Sequence, residues 1–200
     1  ALTAIFAALV AALTMVHLPL PSEAGYVHFG DSMIYLCASF LPAPYALAAS
    51  AIGGALADLT FGYFNWIPFT FVIKAVNAVP FIIANKMMKK HKDKIVSWVT
   101  VLMTVASGLV TLVLYFFASW VVYGNAATAA TDIPGSIVQA LGSAIIYIIV
   151  GAALDTAKIK KKFFQRFKKP AKMKKKILVT FALWSRIQDR KSTRLNSSHE

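Results

Sequence analysis

The chain has 200 residues, of which 58% are apolar and 14% charged, and it carries a formal net charge of +13. Soluble domains run nearer 45–50% apolar, so this composition excludes an ordinary water-soluble globule. One cysteine, Cys37, excludes an internal disulfide and a thiolate metal cluster.

Six apolar segments follow one another at 1–18, 31–41, 44–62, 68–85, 97–122 and 135–157. Most reach the roughly 18 to 20 residues that cross a bilayer core, and the second is short. Pro19 and Pro21 close the first segment, and Pro42 and Pro44 separate the second from the third. Pro68 suits the first turn of the fourth, and Pro134-Gly135 precedes the sixth. The pattern predicts an all-α integral membrane protein, a six-transmembrane-helix bundle over residues 1–157. Residues 158–188 read as a basic tail, whose ILVTFALWSRIQ stretch is too short to span. Ala1 is not an initiator, so the start reads as missing. Residues 189–199, DRKSTRLNSSH, resemble a translated sequencing adapter, and 189–200 is taken as an artefact.

Positive charge sets an expected orientation. Outside 189–200, five Lys lie in 86–94, twelve Lys and Arg in 158–186, and the remaining one is Lys74. Lys and Arg concentrate on the cytoplasmic side, which predicts that both termini face inward. The opposite loops, GYVHFGD, GYFNW and GNAATAATDIP, contain no Lys or Arg but do contain aromatics, His28, Asp31, Asn65 and Asn125, with Glu23 just before them. They read as an entrance for a small molecule. The tail KIKKKFFQRFKKPAKMKKK suits anionic lipid better than nucleic acid, because aromatics are interleaved beside a membrane helix.

Within the stretch ADLTFGYFNWIPFTFVIKA, Asp58 and Lys74 each lie eight residues from Trp66. A hairpin turning at Trp66 would bring them to one depth, where they could pair. Charge inside a bilayer is expensive unless it is partnered or faces a polar cavity. Lys74 is therefore either a structural cation or a ligand contact, and Asp58 reads as its structural ion-pair partner. Thr70, Lys74 and Asn77 share one helical face, a polar stripe suited to a buried ligand site. Ala4, Ala8 and Ala12 form a flat strip where another helix could approach; packing within the bundle and docking of a partner protein both fit it. His17, His28 and His91 have no metal-ligand spacing, so neither metal nor cofactor is expected. No phosphate-binding loop or nucleophile elbow is present, so ATP hydrolysis by the usual route is excluded.

The blocks GYVHFGDSMIYL, GGALADLTFGY and PFTFVIKAVNA, in this order, resemble the signature blocks of S components, the substrate-binding subunits of energy-coupling-factor (ECF) vitamin transporters, in the riboflavin-transporter-like group. The resemblance implies six helices with both termini cytoplasmic, and partnership with a transmembrane T subunit and two ATPase subunits. It also turns Ala4, Ala8 and Ala12 into a T-subunit docking strip. Capture of a vitamin from outside would involve His28, Asp31, Lys74, Asn77, Tyr123, Asn125 and Gln139. Tyr63, Trp66 and Tyr123 offer stacking faces for a heteroaromatic of the riboflavin, pyridoxine or hydroxymethylpyrimidine class, with Thr70 beside them. Lys74 would hold a hydroxyl, carbonyl or phosphate-like oxygen. Two rival readings are a membrane enzyme with Asp31 or Asp58 as general base and a ligand-free scaffold, but no nucleophile or metal cluster supports the first.

Overall fold

The computed structural model describes residues 1–19, 26–88 and 94–168. The chain divides into two compact units, 1–160 and 161–200. Glu23, the basic tail beyond residue 168 and the segment 189–200 lie outside the described residues.

The first unit is a helical bundle. Its elements in chain order are α1 (Leu2–Met15), a hairpin of β1 (His17–Pro19) and β2 (Tyr26–His28), then α2 (Gly30–Phe40) and α3 (Ala43–Phe61). They are followed by α4 (Ile67–Met87), α5 (Trp98–Tyr123), the short α6 (Ala126–Ala130) and α7 (Ile133–Thr156), while α8 (Ile159–Lys168) opens the basic segment. Among the described residues, three stretches are long and apolar enough to cross a membrane: Ile67–Met87, Trp98–Tyr123 and Ala126–Thr156. The all-α expectation holds, and one short hairpin interrupts the helices. α1 stops at Met15, and His17 to Pro19 pair antiparallel with Tyr26 to His28. Pro19 lacks an N–H and cannot continue a helix, and the two-stranded ladder supplies backbone partners instead.

Local chemistry explains the helix ends. α3, α4 and α7 each carry a proline in the first turn, where a missing N–H costs nothing. Ser97 and Thr100 form a reciprocal capping box at the start of α5. Gly62 and Gly124 end α3 and α5 at φ of 79° and 67°, which glycine adopts without a Cβ penalty. At the opposite end of α7, the Asp155 carboxylate accepts from the backbone N–H groups of Ile95 and Val96 at 2.7 and 2.9 Å.

Two packing features position the site. α2, only 11 residues long, is buried along its whole length and packs against α1, α3, α4 and α7; at about 1.5 Å per residue it reaches barely half-way across a bilayer core. α1 presses Ala7, Val10, Ala11 and Thr14 against α3. Gly53 permits this approach, since a Cβ there would lie 2.6 Å from the Ala7 carbonyl oxygen. Leu102, Val105, Leu109 and Phe117 on α5 and Leu141, Ile145 and Ile149 on α7 point outward, as expected of lipid-facing side chains.

Overpacking a tight contact costs about 1–3 kcal/mol, more than the helix-propensity gain of roughly 0.5–1 kcal/mol for Gly to Ala. Gly53→Ala is therefore expected to lower the thermal midpoint in detergent. Gly142→Ala, where a Cβ meets nothing within 4 Å, is expected to leave it unchanged or raise it; equal effects would refute the packing argument.

Candidate functional site

One end of the bundle collects the C-terminal ends of α1, α3 and α5, the hairpin, and the N-terminal ends of α2, α4 and α7. These enclose a cavity of about 330 Å3. α3 and α4 supply Asp58, Tyr63, Trp66, Thr70 and Lys74, and α5 supplies Tyr115, Ser119 and Tyr123. Asp132, Gly135, Ser136 and Gln139 close the α7 side, and Thr14 and His28 complete the wall. Exposure falls from 50% at Tyr123 and 44% at Tyr63 to 1% at Lys74, so aromatic rings form the rim and the cation sits at the floor.

Lys74 Nζ donates to Asp31 Oδ1 at 2.7 Å, and both side chains are 1% exposed. Gln139 Nε2 donates to the other oxygen, Oδ2, at 2.8 Å. Asp31 stands in the first turn of α2, where the helix dipole favours a negative charge. Burial of two ions is tolerable only when geometry is good and the remaining lone pairs are satisfied, and here both carboxylate oxygens have donors. Gly54 makes room for the lysine stem: a Cβ there would lie 2.6 Å from Lys74 Cγ. Lys74 Nζ also lies 5.1 Å from the centre of the Tyr115 ring, within cation–π range.

This geometry corrects the expected pairing. The carboxylate that forms the salt bridge with Lys74 belongs to Asp31, not Asp58. Equal sequence distance from Trp66 fixes depth along a hairpin but not the direction in which a side chain leaves its helix. Asp58 is buried on the cavity wall, and its Oδ2 has no hydrogen-bond partner among the described residues.

His28 accepts from the Gly30 backbone N–H at Nδ1, 3.1 Å away. In a neutral ring the proton is then on Nε2, which lies 3.4 Å from Lys74 Nζ. Burial, reinforced by the charge of Lys74, pushes the imidazole down to about 3.

The remaining expected site residues divide clearly. Tyr63, Trp66, Thr70, Tyr123 and Gln139 line the cavity with Lys74 and His28, whereas Asp31 stands behind Lys74 and Gln139. Asn77 is fully buried away from the lining, and its amide has no hydrogen-bond partner among the described residues. Asn125 is exposed and caps α6 through the Ala127 N–H. Tyr115, Ser119, Asp132 and Ser136 were not anticipated. The spacing carried a signal: Tyr115, Ser119 and Tyr123 recur at i, i+4, i+8, and Asp132, Ser136 and Gln139 at i, i+4, i+7. Ser119 Oγ donates to Asp132 Oδ2 at 2.6 Å, tying the two stripes together. Ala4, Ala8 and Ala12 are exposed on α1, on a face that flanks the α3 contact.

A family profile described as the S component of the ECF-type riboflavin transporter matches residues 1–156. The chain belongs to this family. S components are membrane proteins that bind a vitamin and work with T and ATPase subunits, and theirs is a transporter family rather than an enzyme family. A protein of Pyrococcus woesei described as an "uncharacterized protein in gap 3'region" is 33% identical over 141 residues, covering 66% of this chain and 84% of the relative. The solved S component of a bacterial ECF transporter is 16% identical, superposes with a TM-score of 0.57, and is matched over 77% of this chain and 93% of its own length. That likeness concerns the fold. Among the described residues no group of three or more His, Cys, Asp or Glu is placed to hold a metal.

Two outcomes follow from the buried pair. Lys74→Ala leaves Asp31 charged and unpaired, at a cost of about 3–5 kcal/mol, whereas Lys74→Met combined with Asp31→Leu is expected to recover at least half of the lost thermal stability. A double variant no more stable than the single one would contradict the pairing. For His28, the unfolded ring takes a proton below about pH 6.5 while the native ring resists it until about pH 3, so acidification across that window favours unfolding. His28→Gln should lose less stability than the wild type between pH 7 and pH 4.5; identical acid profiles would place the imidazole in contact with water.

Proposed function

We propose that this chain captures a small heteroaromatic vitamin from outside the cell and delivers it inward with ATP-driven partners. The observation that carries the reading is the cavity, in which aromatic rims surround a single buried cation that is held in place by Asp31. A volume of about 330 Å3 lies at the lower end of the roughly 300–1,000 Å3 typical of small-molecule sites. Trp66 lies 6.3 Å from the Tyr115 ring and 6.0 Å from that of Tyr123, and this aromatic cluster would offer a face or an edge to a flat ring. A ligand carbonyl would accept from Lys74 Nζ at the floor of the cavity. Riboflavin is the ligand that the family description favours, and pyridoxine and hydroxymethylpyrimidine remain chemically compatible.

In this reading α1 to α5 and α7 are six membrane helices, residues 1–157 form the binding domain, and both ends face the cytoplasm, as the placement of Lys and Arg suggests. The cavity then opens outward. Ala4, Ala8 and Ala12, exposed on α1, would seat the T subunit, and two ATPase subunits would supply the energy. The basic segment from residue 158 would lie against anionic lipid; nucleic acid has no place in this scheme.

Trp66→Ala is expected to weaken binding of riboflavin roughly tenfold or more through the lost stacking face, read by quenching of flavin fluorescence in detergent. Ala8→Leu should leave that affinity intact and abolish co-purification with the T subunit. Unchanged binding in the first variant, or unchanged co-purification in the second, would count against the corresponding assignment.

A further inference from the structure

We infer that Asp58 is a ligand-contacting residue whose carboxylate accepts an N–H from the bound molecule and makes the cavity selective for an uncharged heteroaromatic over its phosphate ester. The inference rests on the capture reading of the cavity and adds to it the sign of charge that the ligand can carry.

Four carboxylates lie among the described residues. Asp31 accepts on both oxygens from Lys74 and Gln139. Asp155 accepts on both from backbone amides, and Asp132 accepts from Ser119. Asp58 is engaged on one side only: it is 6% exposed and lines the cavity, Thr70 hydrogen-bonds its carboxyl, and its Oδ2 has no hydrogen-bond partner. A buried acceptor left without a donor is costly, and such groups persist where a binding partner completes them. A ring N–H or amide N–H entering the cavity would form a charge-assisted hydrogen bond there.

The cavity's charges give the second half of the argument. The positive charge of Lys74 is cancelled by Asp31 at 2.7 Å, and His28 is neutral. Asp58 and Asp132 are then the other acidic groups on the wall, and the lining offers no unpaired cation to receive a phosphate. An incoming phosphate would meet them in a setting of low dielectric, where like charges repel far more strongly than in water. The site therefore treats Lys74 as a hydrogen-bond donor to a neutral oxygen and not as an anion receptor. This revises the expectation from the sequence that a phosphate-like oxygen would suit the lysine.

Riboflavin and riboflavin 5'-phosphate, titrated into the full chain in detergent and followed by flavin fluorescence, test the proposal with wild type and Asp58→Asn. Wild type is expected to prefer riboflavin by about a hundredfold or more. Asp58→Asn should weaken riboflavin by about tenfold and narrow that preference. The ligand-free thermal midpoint of the variant should stay level or rise, because a buried carboxylate with one unsatisfied oxygen has been replaced by a neutral amide; a merely structural acid would give a lower midpoint and an unchanged affinity. If Asp58→Asn binds riboflavin like wild type, or wild type takes the phosphate within tenfold of riboflavin, the proposal is overturned. If wild type binds neither flavin, flavin capture itself fails and the role of Asp58 fails with it. Should Asp58→Asn not fold, Asp58→Ser in the same titration carries the same expectations.

Discussion

The buried bond between Lys74 and Asp31 governs how this end of the bundle is built. An ammonium and a carboxylate at 2.7 Å are stable in a dry interior only if each is held by more than its partner. Asp31 meets that condition through Gln139 and its place at the start of α2; Lys74 does so through the Tyr115 ring and the groove that Gly54 opens on α3. The pair links α2 to α4, and Gln139 adds α7. Three helices are thus tied at one point, and the cavity is the space left between that point and the aromatic rim.

A short, wholly buried α2 is what makes this arrangement possible. A full-length helix in its place would fill the space that the cavity occupies, whereas an 11-residue helix presents its N-terminus at mid-depth. Beside it, α1 closes the bundle by tight packing against Gly53 of α3. One face of α1 is thereby spent on the bundle through Ala7, Val10, Ala11 and Thr14, while Ala4, Ala8 and Ala12 remain outside. The alanine strip is thus not the face that packs within the bundle.

Much of the fold was legible in the sequence because apolar length and proline or glycine punctuation act locally. The expected segments and the observed helices differ by a few residues at most. The hairpin of residues 17–19 and 26–28 was not legible, since its pairing satisfies backbone groups and leaves no side-chain periodicity in two three-residue strands. Lys74 stood out because charge among apolar residues is conspicuous. Its partner did not, because Asp31 is 43 residues away and nothing in one sequence reports which direction a side chain takes from its helix. Tyr115 and Ser119 were hidden among aromatic and apolar neighbours, although their four-residue spacing with Tyr123 was there to be read. Asn125 lies in the expected loop, and its side chain accepts from the Ala127 N–H at the start of α6.

The most direct measurement of the central claim is a high-resolution structure of the chain with the small molecule it retains through purification. The account predicts a flat ring against Trp66 and Tyr115, an acceptor atom within hydrogen-bond reach of Lys74 Nζ, and the Lys74–Asp31 bond still intact. A ligand seated elsewhere, or a lysine sealed from the ligand by protein on every side, would contradict it.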